Sequence, residues 1–270
     1  MYCDSGWSYF HIRYECGNNA ARDLSAARLD RAEPVTDLDF RAGDVLEISC
    51  PFTETIVNGV SLAHVSVRWP WWRRDPDSKG MIWDGDVAID RRTAPDAGGL
   101  FCTEPSADVL KPGSACRVGI PVTIVHVTQV QWFDPLLETG YLPRPNREIG
   151  VLRQGVSEDR HMLEQEAFLN PDDEIPYRIK RLFRPYAFVE IGDEMADSLG
   201  RAWHFSGVWE IGALDGQGGV PGWPLALLAD RHGVAGSERC ERVAAGTRTG
   251  SHESEIDRWR DAAQAEPPHR

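Results

Sequence analysis

Alternation of apolar and polar positions dominates the middle of the chain. From Val45 to Phe52, Leu46, Ile48, Cys50 and Phe52 fall on one face while Glu47 and Ser49 fall on the other. Period two of this kind predicts a half-buried strand. From Val60 to Trp69 the inward set is Ala63, Val65, Val67 and Trp69, with His64, Ser66 and Arg68 facing away. Asn58-Gly59 predicts the turn between the two strands. Pro70 ends the ladder, because it has no amide proton to donate. A second hairpin is predicted from Met81–Trp83 and Asp86–Ile89 around Asp84-Gly85, a pair suited to a tight type I′ turn.

Part of this pattern recurs. FRAGDVLEISCPFT (Phe40–Thr53) aligns without gaps on LKPGSACRVGIPVT (Leu110–Thr123), matching Gly43 to Gly113, Pro51 to Pro121 and Thr53 to Thr123. The apolar face returns as Cys116, Val118, Ile120 and Val122. HVSVRW (His64–Trp69) then resembles HVTQVQW (His126–Trp132), with Gln129 as an extra residue that a bulge would absorb. Residues 40–92 and 110–157 read either as related halves of an internal repeat or as two unrelated strand pairs in one sandwich.

Flanking segments are less regular. Ser8–Tyr14 predicts a strand and Asn18–Ala32 a surface helix. Residues 92–109 read as loop. Ser157–Leu169 predicts a helix with acids in its first turn, ended by NPDDEIP at 170–176. Tyr177–Phe183, Tyr186–Gly192 and Arg201–Glu210 predict strands, the last two joined by an acidic loop at 192–200. Trp223–Arg231 predicts a short helix after a glycine-rich loop at 212–222. The fold class expected is mainly β, a β-rich α+β protein. It has a sandwich or barrel-like core of roughly eight to ten strands and a few peripheral helices. Residues 1–234 form the globular region, with a seam near 92–110 or 135–157. Residues 235–270 read as a flexible tail apart from a helical patch near Glu253–Ala263.

Composition narrows the classes. The chain has 270 residues, enough for a substantial core, and a formal net charge of −13. That acidity argues against duplex nucleic acid or an anionic membrane as the main partner. No apolar run reaches the ~20 residues a spanning helix needs. Six scattered cysteines and an N-terminus without a basic-then-apolar leader predict a cytoplasmic protein with reduced thiols. The only lysines are Lys79, Lys111 and Lys180, a bias associated with GC-rich, bacterial coding.

Candidate chemistry is sparse. RWPWWRR (Arg68–Arg74) concentrates aromatic faces and guanidinium groups, which makes Trp71, Trp72, Arg73 and Arg74 the leading ligand-binding residues. His64 and His126 hold matching places in the two halves and could meet as metal ligands, although no HxH, HExxH or CxxC spacing accompanies them. Asp84, Asp86 and Asp90, or Asp193, Glu194 and Asp197, could surround a cation but follow no calcium-loop spacing. GQGGVPG (216–222) could cradle phosphate, except that it lacks a third fingerprint glycine and a P-loop lysine. No nucleophile elbow is present, and Ser251-His252-Glu253 lies in the expected tail. No cofactor is implied. The reading favoured is a binding or interaction protein with a protein or small-ligand partner. Its alternatives are an enzyme assembled from distant strands, with His64, His126 and acids such as Asp84 or Glu190, or an acidic partner that neutralises a basic protein.

Overall fold

In the computed structural model the described residues are 39–72, 85–91, 99–134, 146–154 and 166–264. They form thirteen strands and two helices. The strands are β1 (Val45–Val60), β2 (His64–Arg68), β3 (Asp86–Asp90), β4 (Cys102–Glu104), β5 (Ala115–Trp132), β6 (Arg147–Arg153), β7 (Ala167–Leu169), β8 (Arg178–Phe183), β9 (Asp193–Ala196), β10 (Ala202–Gly207), β11 (Glu210–Ala213), β12 (Ala226–Asp230) and β13 (Gly233–Val234). The helices α1 (Ser237–Gly246) and α2 (His252–Gln264) close the chain. The fold is β-rich, as the alternation predicts. Among the described residues no helix is long and apolar enough to cross a membrane.

The chain divides into two compact units. Among the described residues one comprises 39–40 and 47–180, and the other comprises 41–46 and 181–264.

The first unit is built on two long strands. The sheet order is β3-β2-β1-β5-β6-β7, with β4 also paired to β5 and β8 to β1. Outwards from the β1–β5 junction, one side gives β2 then β3 and the other gives β6 then β7. Both long strands carry an exposed proline, Pro51 or Pro121, and in both the buried face changes parity there. Leu46, Ile48 and Cys50 are buried before Pro51 and Val57 after it. Val118 and Ile120 are buried before Pro121, and Val125 and Val127 after it. Phe52 is therefore only half buried and Val122 is exposed, where unbroken alternation put both inside. In each strand the threonine two residues on bonds the proline carbonyl, Thr53 to Pro51 at 3.2 Å and Thr123 to Pro121 at 2.8 Å.

The bulges also correspond. Register shifts between Val57 and Gly59 on β1 and between Val127 and Gln129 on β5 leave Asn58 and Thr128 as the extra residues. The bulge expected at Gln129 thus lies one residue earlier. Asn58-Gly59 is not the turn. The β1–β2 connection is Ser61–Ala63, closed by Ser61 N–H to His64 O at 2.8 Å. This corrects the second part of the sequence alignment. HVSVRW occupies β2, whereas HVTQVQW is the continuation of β5 itself, so His64 and His126 do not hold equivalent places.

The second unit has a sheet of order β11-β10-β9-β12-β13. Its core is Tyr186, Val189, Met195, Phe205, Val208, Leu225, Leu227 and Val243. The turn that opens β1 and β5 opens β9 as well. Arg41–Asp44, Lys111–Ser114 and Glu190–Asp193 each close with an N–H to C=O bond of 3.0–3.1 Å from the fourth residue to the first. In each, the first residue's N–H is capped by the fourth residue's side chain, at 3.1, 3.3 and 2.8 Å. The third residue is Gly43, Gly113 or Gly192, at φ +90, +81 and +94, a conformation in which a Cβ would be strained. An apolar residue precedes each turn and is buried: Phe40, Leu110 and Val189.

Several local expectations change here. Trp223–Arg231 is not a helix: β12 alternates, with Leu225 and Leu227 buried while Ala226 and Leu228 face out, and it pairs with β9. Tyr186–Gly192 forms turns, and the acidic 192–200 segment supplies β9 and its hairpin turn to β10. The end of the helix expected at 157–169 is strand β7, and β4 lies inside the expected loop at 92–109. The tail from 235 is helical where described, with Val243, Thr247 and Glu255 buried. The expected elements at 8–14, 18–32 and 81–83 lie outside the described residues.

Arg41–Leu46 is held by ion pairs and by carbonyl contacts. Asp44 is fully buried and accepts Arg184 Nε and Nη2, both at 2.7 Å. Arg41 donates to the carbonyls of Val189, at 2.7 Å, and of Pro185, and lies over the Phe205 ring. Removing one partner of a buried ion pair strands the other charge, at about 3–5 kcal/mol. Arg184→Ala is expected to destabilise the protein by that amount in urea unfolding, while Arg181→Ala, whose pair with Asp44 spans 3.9 Å and is partly exposed, costs much less.

Candidate functional site

The predicted aromatic cluster is in part a packed corner. Trp69 is buried and meets Trp71 edge-on at 4.8 Å and Phe101 edge-on at 4.7 Å, and Phe101 continues to the buried Tyr177 at 6.3 Å. The corner is fixed by Trp69 N–H to Gly85 O at 2.7 Å and Trp72 N–H to Trp69 O at 3.2 Å. Gly85 is needed for this packing, because a Cβ there would stand 2.9 Å from the Trp72 ring. Trp71 is thus half-buried packing, and Trp72 is a half-buried wall. Arg73 and Arg74 lie outside the described residues.

Trp72 borders a groove of ≈ 810 Å³ in the first unit. Glu54 and Ile56 of β1, Arg68 of β2, Glu104 of β4, and Ala115 and Arg117 of β5 expose their side chains to it. The sheet pleat explains this selection, since these residues alternate with the inward Val57, Val67, Thr103, Cys116 and Val118. Arg117 pairs with Glu104 across β5 and β4. Arg68 lies over the Trp72 ring at 5.9 Å, and its backbone carbonyl accepts the Thr55 hydroxyl. Neither Arg68 nor Glu54 has an ion-pair partner among the described residues. Sequence reasoning pointed to Trp72 and the arginine class but missed Glu54, Ile56 and Arg117. They stand 12 or more residues from the cluster, and only strand pairing brings them near it.

The histidines do not converge. His64 Nε2 contacts Asp90 Oδ1 at 3.0 Å on the facing strand β3. His126 lies on β5 opposite Leu152 of β6. Burial holds its imidazole below the usual range, against the pull of Glu166. Among the described residues no three His, Cys, Asp or Glu side chains are grouped to hold a metal. Asp84 lies outside the described residues, and Asp86, Asp193 and Asp197 have structural partners. Asp86 accepts Asn58 Nδ2 at 2.5 Å. Asp193 accepts Arg239 at 2.7 Å. Asp197 caps the β9–β10 turn and accepts the Trp203 indole at 3.0 Å. The glycine-rich loop turns its carbonyls inward: Gln217 and Gly218 accept Arg201, which also forks onto Asp215 at 2.8 Å. That loop presents acceptors to a cation, the opposite of a phosphate cradle. The Arg201 hydrogen bonds hold Asp215 down at about 2.

A second polar face lies on β5–β6–β7. Gln129 donates to Glu166 at 2.7 Å beside Gly150, and Glu148 stands opposite Gln131. Burial pushes Glu148 up to about 7 from 4.5. In the second unit, Ser251-His252-Glu253 is ordered at the start of α2, where His252 Nδ1 contacts Tyr186 Oη at 2.6 Å. The buried Glu255 accepts the Tyr186 N–H at 2.9 Å. Ser251 and Ser254 bond each other, so no triad forms. All four described cysteines are free thiols, and burial raises Cys50 to about 12.

No family model, no curated protein and no solved structure matches this chain.

For Glu148 the folded state keeps a proton that the unfolded chain releases above about pH 4.5, so this group's penalty on folding grows as pH rises towards about 7. Glu148→Gln is expected to raise the melting temperature at pH 8 and to leave it nearly unchanged at pH 4.5, measured by calorimetry at both.

Proposed function

We propose that this protein is a recognition module that engages its partner in the groove bordered by Trp72 and Arg68. The observation that carries the reading is the groove itself. It is an ≈ 810 Å³ open depression with a half-buried indole on one wall and an exposed Ile56 within it. A guanidinium on an aromatic face keeps its N–H edge directed outwards, ready for a polar partner. Aromatic and arginine side chains at the centre of a patch contribute most of the binding energy in protein interfaces.

A second reading is supported by the β5–β6–β7 face. Burial pushes Glu148 up to about 7 on the face where Glu166 accepts a bond from Gln129, and a carboxyl poised near neutrality suits acid–base chemistry. The groove is favoured because its depression of ≈ 810 Å³ gathers an indole, a guanidinium and an apolar side chain in one place.

The two readings separate experimentally. A photoreactive residue at Ile56 is expected to crosslink one discrete partner in an extract, and Arg68→Ala should reduce that adduct at least tenfold while leaving the melting temperature within a degree. An adduct indifferent to Arg68 would count against the groove. A loss caused by Glu148→Gln instead would favour the second face.

A further inference from the structure

The groove is lined by two opposite charges that do not pair with each other. Arg117 and Glu104 satisfy each other, yet Glu54 and Arg68, which face the same depression, form no ion pair with each other or with any described residue. Arg68 is drawn onto the Trp72 ring instead. A purely anionic ligand would meet Arg68 but be repelled by Glu54, and a purely cationic ligand would meet the reverse. Both charges are answered only by a ligand that carries one of each. On an extended chain, side chains at i and i+2 lie on one face roughly 6.8 Å apart, the scale of neighbouring strands' side chains on a sheet. The depression is open and of a volume to take several residues rather than one.

Resting on the groove reading above, we propose that the partner's docking segment is an extended peptide with opposite charges at i and i+2. Its acidic side chain meets Arg68 and its basic side chain meets Glu54, while the residue between them points away from the groove. Complementarity of this kind confers specificity more than affinity, because a like-charged segment leaves one groove charge desolvated and unanswered.

The test uses the full-length chain at about 0.15 M salt, where the Debye length of about 8 Å screens the protein's overall acidity. Three fluorescein-labelled dodecapeptides are compared by anisotropy: three repeats of Lys-Val-Asp-Val, three of Lys-Val-Lys-Val, and three of Asp-Val-Asp-Val. The alternating peptide is expected to bind at least tenfold tighter than either other. Glu54→Gln should move the preference towards the all-acidic peptide and Arg68→Gln towards the all-basic one. Both variants change exposed side chains that form no hydrogen bond or ion pair among the described residues, and calorimetry would verify that they stay folded. Equal affinity for the three peptides, no binding, or a preference unmoved by both variants would overturn the proposal. So would full competition by free lysine, which would make the ligand a small zwitterion. If the Ile56 adduct persists while the peptides fail to discriminate, the groove reading stands and this one falls.

Discussion

Asp44 is the residue on which the arrangement of the second unit turns. A carboxylate with no exposure to water would be prohibitively costly alone, and here the Arg184 fork and the Arg41 N–H answer it. Through that bond six residues ahead of the first unit's longest chain segment are fixed beside chain 140 positions later. The same turn places Gly43 in a left-handed conformation against Pro185 and Val208, and the Gly43 carbonyl accepts the Trp259 indole at 2.9 Å. One short turn thereby joins strand, core and α2.

The repeated use of that turn says something about how the sheets begin. Buried apolar residue, two variable positions, glycine, then Asp or Ser: this order starts β1, β5 and β9 with the same two hydrogen bonds. The fourth side chain caps the first amide, so the strand starts with its backbone satisfied. What differs is the environment. Asp44 and Asp193 are buried and answered by arginines, Arg184 and Arg239, whereas Ser114 is half exposed and needs none.

The groove follows from the same strands by a different route. Where β1 and β5 lie side by side their outward residues mix charge with small and apolar groups, and β2 and β4 extend that face on either flank. The tryptophan corner then raises one wall. The side chains that line it are thereby fixed in position by sheet register, which holds a surface more accurately than loops do.

Local chemistry in the sequence was enough for the β-rich class, the inward Leu46, Ile48 and Cys50 of β1 and Val65 and Val67 of β2, the end of β2 before Pro70, and the matching Gly43 and Gly113, because strand period and turn conformation depend on near neighbours. It also marked Trp72. The tertiary structure alone decided that Pro51 and Pro121 exchange the buried face, that β5 runs on through His126 to Trp132, and that Ala226–Asp230 is a strand. Each depends on which strand lies alongside. Only folding, likewise, brings Glu54, Arg68, Glu104 and Arg117 to one depression and keeps His64 from His126. A groove is a relation between chain segments far apart in order, and period along one segment carries no record of it.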